Sequence, residues 1–167
     1  MTICVNNRML VFDNGDQVNN LLGQIVIDQW LKIPTVYQNV FLSEYVLMSN
    51  HFHGIISLGS NPNYNNIPTD LFKIIATFKT ITSKKLKKLI TPNDNQSINI
   101  LSNSQSNSIK LLFENFGGFW QKSYYDHIIR SEEDLDRIKE YIINNPANWD
   151  KDTNNPLVKE SCTILDL

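Results

Sequence analysis

Cysteine is nearly absent, with Cys4 and Cys162 at opposite ends of a chain of 167 residues. Two thiols so far apart build neither a disulfide framework nor a zinc box, so a reducing cytoplasm is the expected compartment. Long apolar runs are missing as well. No stretch approaches the ~18 residues of a membrane span, and no membrane association is expected. The opening residues, Met1 to Val5, lack the basic flank and apolar core of a secretory leader. Charge of one sign is not in excess, with 15 basic and 17 acidic side chains giving a formal net charge of −2. That balance does not exclude a nucleic-acid partner, because local clustering is what builds a binding field.

Hydrophobic residues make up 41% of the chain and charged residues 19%, the mixture of one globular domain. We assign that domain to residues 1–150 and a polar tail to 151–167. The 22 Asn and 20 Ile are taken as a trace of an AT-rich coding sequence and carry no functional weight.

Thr2 to Phe12 reads as a strand, unbroken or interrupted near Asn6-Asn7, and Asp13 to Asp16 as a turn. Gln17 to Lys32 has helical spacing through Val18, Leu21, Leu22, Ile25, Val26 and Trp30, and Pro34 ends it. Val36 to Met48 and His51 to Leu58 read as the two strands of a hairpin turning at Ser49-Asn50. Asn61 to Asn66 is loop, and Asp70 to Ile90 is helical. The Asn, Ser and Gln of residues 92–108 predict a mobile surface insertion. Trp120 to Ile129 is strand-like. Ser131 to Asn144 is the clearest helix, with Ser131 as N-cap and acidic residues in its first turn. The order β-α-β-β-α-β-α predicts an α+β fold, an antiparallel sheet with helices packed on it.

Four groups carry potential chemistry. His51 and His53, two apart on a strand, share one face, so both imidazoles can converge on one metal while Phe52 packs behind them. Taken alone, the pattern is more commonly that of two partly buried histidines satisfied by hydrogen bonds. Tyr141 and Asn145 lie one helical turn apart. A phenol there can act as a covalent nucleophile and the amide oxygen as a further ligand; the plainer reading is a boundary tyrosine and a helix cap. Leu71 to Ile90 carries six lysines, among them Lys79, Lys84, Lys85 and Lys88, a one-sign stripe suited to phosphates. Trp120 to His127 interleaves aromatics with Lys and His. Such residues stack on unpaired bases or fill a core, and Tyr124 and Tyr125 rival Tyr141 as nucleophiles.

The segments Gly23 to Trp30, Met48-Ser49-Asn50-His51-Phe52-His53-Gly54, Trp120 to Arg130 and Tyr141-Ile142-Ile143-Asn144-Asn145-Pro146 together resemble the REP-associated tyrosine transposases. These are relatives of the single-tyrosine HUH transposases of small bacterial insertion sequences. The resemblance implies a ferredoxin-like (RRM-like) antiparallel sheet with His-x-His on a central strand. It implies that His51, His53 and Asn145 hold a divalent cation, Mg²⁺ or Mn²⁺, and that Tyr141 is the nucleophile. The implied activity is cleavage and rejoining of hairpin-bearing single-stranded DNA through a 5′-phosphotyrosine, in transposition or mobilisation of repeat elements. Lys79, Lys84, Lys85, Lys88, Trp120 and Arg130 are the expected DNA contacts. Members of the group act as monomers or as homodimers, and both states are left open. Ser49 stands where the group usually has Pro. Met1 falls almost inside the first strand, where the group usually has preceding residues. The alternatives are a catalytically inactive or domesticated protein that binds hairpin DNA without cutting, and an RRM-like RNA-binding module.

Overall fold

The alternation of His51, Phe52 and His53 on one strand divides the molecule into two unlike halves. The structure, a computed structural model, describes residues 1–12, 21–59, 70–91 and 101–158. The turn expected at Asp13 to Asp16, the first residues of the Gln17 helix, the Asn61 to Asn66 loop and residues 92–100 of the expected insertion lie outside the described residues. Three strands, β1 (Thr2–Cys4), β2 (Val40–Leu47) and β3 (His51–Leu58), form an antiparallel sheet in the order β1-β3-β2. Among the described residues five helices pack on it: α1 (Leu21–Leu31), α2 (Ile33–Val36), α3 (Leu71–Lys88), α4 (Asn103–Asn115) and α5 (Glu132–Asn144). The α+β class is therefore as the sequence predicts, and the His-x-His pair sits on the central strand.

β3 pairs with β1 through Thr2↔His53, Ile3↔Phe52 and Cys4↔His51. It pairs with β2 through Val46↔His53 and Leu47↔Phe52, with a register shift between Leu42 and Tyr45. The Met48-Ser49-Asn50 turn joins β2 to β3, closed by the Met48 amide donating to the His51 carbonyl at 2.8 Å. Side chains alternate across a strand, so Phe52 and Gly54 face one layer and the two histidines the other. On the Phe52 side, Leu22, Val26 and Trp30 of α1 and Ile74, Ile75, Phe78 and Leu86 of α3 close the core. Trp30 packs on Phe52 with ring centroids 4.7 Å apart, and Phe78 meets both rings at about 6 Å. Asp70 starts α3 by accepting from the Phe72 amide at 2.9 Å.

Three expectations are corrected. The strand of Thr2 to Phe12 ends at Cys4 and does not resume after the interruption expected near Asn6-Asn7, where the chain turns through a 3₁₀ segment, Asn6–Arg8, with Asn7 and Arg8 at positive φ. The first helix stops at Leu31, ahead of Pro34 as expected, and Pro34 itself sits in the first turn of the short helix α2, where its fixed φ and missing N–H are tolerated. Residues 103–108 are helical, because Ser102 and Gln105 form a capping box and Ile109 and Leu112 bury the next turns. Finally, Trp120 to Ile129 forms no continuous strand. It touches β1 and its extension at two isolated bridges, Val5↔Trp120 and Thr2↔Tyr125. Between the bridges, four residues on one side lie opposite two on the other. The surplus bulges outward, and the Lys122 and Ser123 carbonyls turn to the Lys79 ammonium, 3.0 Å from each.

Two of the expected DNA contacts have partners inside the fold. Lys79 is committed to backbone carbonyls, and burial lowers its pKa. Trp120 is 5% exposed, packed against Phe12, Phe78 and Phe119, with its indole N–H donating to Thr82 Oγ1 at 2.8 Å. It is a core residue with no free face for a base.

Packing is tight at Gly54, where a Cβ would stand 2.5 Å from Trp30 Cζ2 and 2.9 Å from Phe52 Cε1. Gly54→Ala is expected to overpack the sheet–helix layer and lower stability by about 1–3 kcal/mol, read as a lower urea midpoint at unchanged slope.

Candidate metal centre and nucleophile

The opposite face of β3 is polar where it carries the two histidines. Asn50, fully buried at the hairpin turn, donates from its amide nitrogen to the Arg8 carbonyl at 2.9 Å and the Asn154 carbonyl at 2.8 Å. Two carbonyl partners fix which end of the amide is nitrogen. Its Oδ1, 2.8 Å from His51 Nδ1, must therefore accept a hydrogen bond from that ring's N–H. A neutral His51 then carries its lone pair on Nε2, the form required of a ligand.

His51 Nε2 points at His53 Nε2, 2.8 Å away, and at Asp152 Oδ2, 3.4 Å away. His53 Nδ1 lies 2.8 Å from the Thr2 hydroxyl, which can donate or accept. Burial pushes both imidazoles down, His51 to about 4 with help from the Arg8 charge and His53 to about 3 with help from His51. Both are thus neutral at pH 7. Asp152 is oriented by the Asn154 amide, which donates to its Oδ1 at 2.7 Å, while its Oδ2 is buried with no hydrogen-bond partner among the described residues.

His51, His53 and Asp152 offer three donor atoms within 4.8 Å of one another, all buried. One proton between the imidazoles satisfies them but leaves the Asp152 oxygen stranded, which is costly at such burial. A metal cation answers all three, so this His-His-Asp group can bind a metal ion. Asn145, 3% exposed, also has a buried Oδ1 without a partner among the described residues.

The nucleophile candidate stands at the edge of this group. α5 begins at Ser131, whose hydroxyl accepts from the Asp134 amide at 3.1 Å, and it packs on β2, with Lys139 Nζ 3.4 Å from Glu44 Oε1. This packing sets the Tyr141 ring edge-on to His53, centroids 5.4 Å apart at 81°. Tyr141 is 53% exposed. Its pKa is raised by partial burial and then by the Asp152 carboxylate, with the Asn145 amide opposing. Asn145 keeps helical angles despite the following proline and so stays one turn below Tyr141. Trp149 stacks on His51 with centroids 6.0 Å apart at 30°.

Tyr141 and His53 open into a cleft of about 880 Å³, walled by α5 on one side and the Tyr125 to Ile129 segment on the other. Tyr125 lines this cleft, whereas Tyr124 lines a smaller pocket against α3. Lys84, Lys85 and Lys88 are exposed, but α3 lies on the Phe52 side, across the sheet from the histidines. Arg130 is exposed at the foot of α5. The structure therefore brings together His51, His53, Tyr141 and Asn145's turn, and leaves the lysines on the far face. Asp152 is the ligand candidate that sequence reading missed. It lies in the stretch whose composition marks it as polar tail, and it reaches the histidines after the 3₁₀ turn Pro146–Lys151. The sole signal was an acid about a dozen residues after Tyr141.

A protein of Haemophilus influenzae (strain Rd), described as an uncharacterized protein, is 33% identical over 156 residues, covering 91% of this chain and 81% of that protein. The chain belongs to this protein's family. No protein-family model matches the chain, and neither does any solved structure. The shared family thus names no chemistry, and the functional argument rests on the site. Among the described residues no helix is long and apolar enough to cross a membrane.

Two outcomes are expected. Mn²⁺ at a hundred times its dissociation constant should stabilise the protein by about 2.7 kcal/mol, a rise in Tm of about 5–10 °C. His53→Ala should abolish that rise and Asp152→Asn should reduce it. Without metal, both histidines titrate lower folded than unfolded, so the unfolded chain takes up protons first. Stability should be full above about pH 6.5 and fall progressively toward about pH 3, followed by urea midpoints across that range.

Proposed function

We propose that the protein is a metal-dependent single-stranded DNA endonuclease and strand transferase of the REP-associated tyrosine transposase type. The observation that carries the reading is Tyr141: a half-exposed phenol edge-on to His53 of a buried His-His-Asp group, at the mouth of an open cleft. A cleft bounded by Tyr125 and Ile128, both exposed, suits a strand with unstacked bases.

In this reading His51, His53 and Asp152 hold a divalent cation, with the unpartnered Asn145 amide oxygen available beside Tyr141. The mixed nitrogen and oxygen donors favour Mn²⁺ over Mg²⁺. The bound cation would supply positive charge to the scissile phosphate. Asn50 and Thr2 keep both imidazoles oriented, and the buried surroundings exclude bulk water from their Nε2 atoms. Tyr141 Oη, once its proton is lost, attacks phosphorus. The bond to the 3′-oxygen breaks, that oxygen takes up a proton as a free 3′-hydroxyl, and the phosphate is left esterified to Tyr141. Attack by a 3′-hydroxyl of the same or another strand reverses the sequence, so no nucleotide hydrolysis is required. The raised pKa of Tyr141 makes the loss of its proton the costly element.

Lys84, Lys85, Lys88 and Arg130 are proposed as phosphate contacts outside the cleft. The lysines, on the face away from the histidines, would take the paired stem of a hairpin while its single-stranded arm enters the cleft.

The test is incubation of a hairpin-bearing single strand with the protein and Mn²⁺, read as a covalent adduct on a denaturing gel. The wild type should form the adduct and Tyr141→Phe should form none while still binding the strand. An adduct with Tyr141→Phe would exclude Tyr141 and move the chemistry to Tyr125.

A further inference from the structure

One wall of the cleft carries a linked charge cluster that none of the foregoing chemistry uses. Asp134, Arg137 and Tyr141 stand at i, i+3 and i+7 of α5, on one face of the helix. Asp134 Oδ1 accepts from Arg137 Nη2 at 2.5 Å, and Asp134 Oδ2 is 2.8 Å from His127 Nε2. His127 belongs to the opposite wall, so the carboxylate ties the two walls together. The Arg137 side chain is 74% exposed and, like Tyr141 and His53, lines the cleft.

We propose that Arg137 grips a phosphate of the DNA strand lying in the Tyr141 cleft, with Asp134 orienting the guanidinium and His127 bracing Asp134 from across the cleft. This rests on the reading of Tyr141 as a nucleophile toward single-stranded DNA. A guanidinium carries five N–H donors in a planar fork. One is used by Asp134, and the others remain for a phosphate, which a guanidinium binds through paired parallel hydrogen bonds. An arginine one turn before the nucleophile on the same helix face sits where a phosphate next to the scissile one would pass. Asp134 restricts the otherwise flexible side chain, so less freedom is lost when the phosphate arrives.

The segment bearing His127 is well placed to transmit that order. Tyr125 exchanges two backbone hydrogen bonds with Thr2, at 2.7 and 2.9 Å, and the Thr2 hydroxyl contacts His53. The wall that braces Asp134 is thus the wall that touches the metal-ligand candidate.

The experiment uses the full chain carrying Tyr141→Phe, so that DNA binds without being cut. A fluorescent hairpin-bearing single strand is titrated over a range of salt, with and without Arg137→Ala or Arg137→Lys. Arg137→Ala should weaken binding about tenfold and reduce the slope of log affinity against log salt by about 0.7, the loss of one single-strand phosphate contact. Arg137→Lys should restore the slope but only part of the affinity, since it keeps the charge and loses the fork. Asp134→Asn should weaken binding less than Arg137→Ala does. Affinity within twofold of the parent and an unchanged slope for Arg137→Ala would overturn the proposal. A drop in Tm with those same binding values would likewise overturn it, assigning Arg137 a purely structural role. Failure of the nucleophile reading is separate: it appears as absence of the adduct in the wild-type protein, whatever the salt slopes show.

Discussion

The amide of Asn50 is the contact on which the polar half of the molecule depends. It is buried in a tight turn, and its nitrogen is spent on carbonyls from two distant stretches, the 3₁₀ turn after β1 and the chain beyond α5. Those bonds leave its oxygen a single role, acceptor from His51. Fold closure and ligand preparation are therefore one event: the tautomer of His51 is right when both ends of the chain have docked on the hairpin. A site whose ligand is primed by tertiary closure is absent from any partly folded form.

β3 separates two kinds of packing at a thickness of one strand. Phe52 faces an apolar layer of Trp30, Tyr45 and Phe78, which resists change in volume. One residue to either side, His51 and His53 face a layer of Asn, Thr, Asp, Tyr and Trp where hydrogen-bond geometry decides. A slip of the sheet by one residue would exchange the two sets. The apolar side thereby enforces the register that aligns the polar side.

The parts legible in the sequence are those set by local periodicity. The His-x-His pair needed only strand alternation, the Tyr141–Asn145 relation only a helical turn, and Ser131 announced α5 by its capping chemistry. The misread parts were set by contacts between segments remote in sequence. Trp120 to Ile129 has the composition of a strand, but Lys79 from α3 takes two of its carbonyls and the ladder breaks. Ser102 to Ser108 has the composition of a loop, but its capping box and the apolar residues behind it make a helix. The lysine stripe was legible as a stripe, yet which face of the sheet α3 covers follows from Phe78 packing on Phe52. Asp152 had no local signature at all.

The Thr2 hydroxyl holds His53 in a manner unlike that of Asn50 on His51. An amide oxygen fixes one protonation pattern, whereas a hydroxyl rotates to serve either. Whatever occupies the space between the two imidazoles, hydrogen or ion, His53 can change tautomer with only a hydroxyl rotation at Thr2. One ring is thereby locked and the other adaptable, so the pocket can exchange its contents with little disturbance to the sheet that carries it.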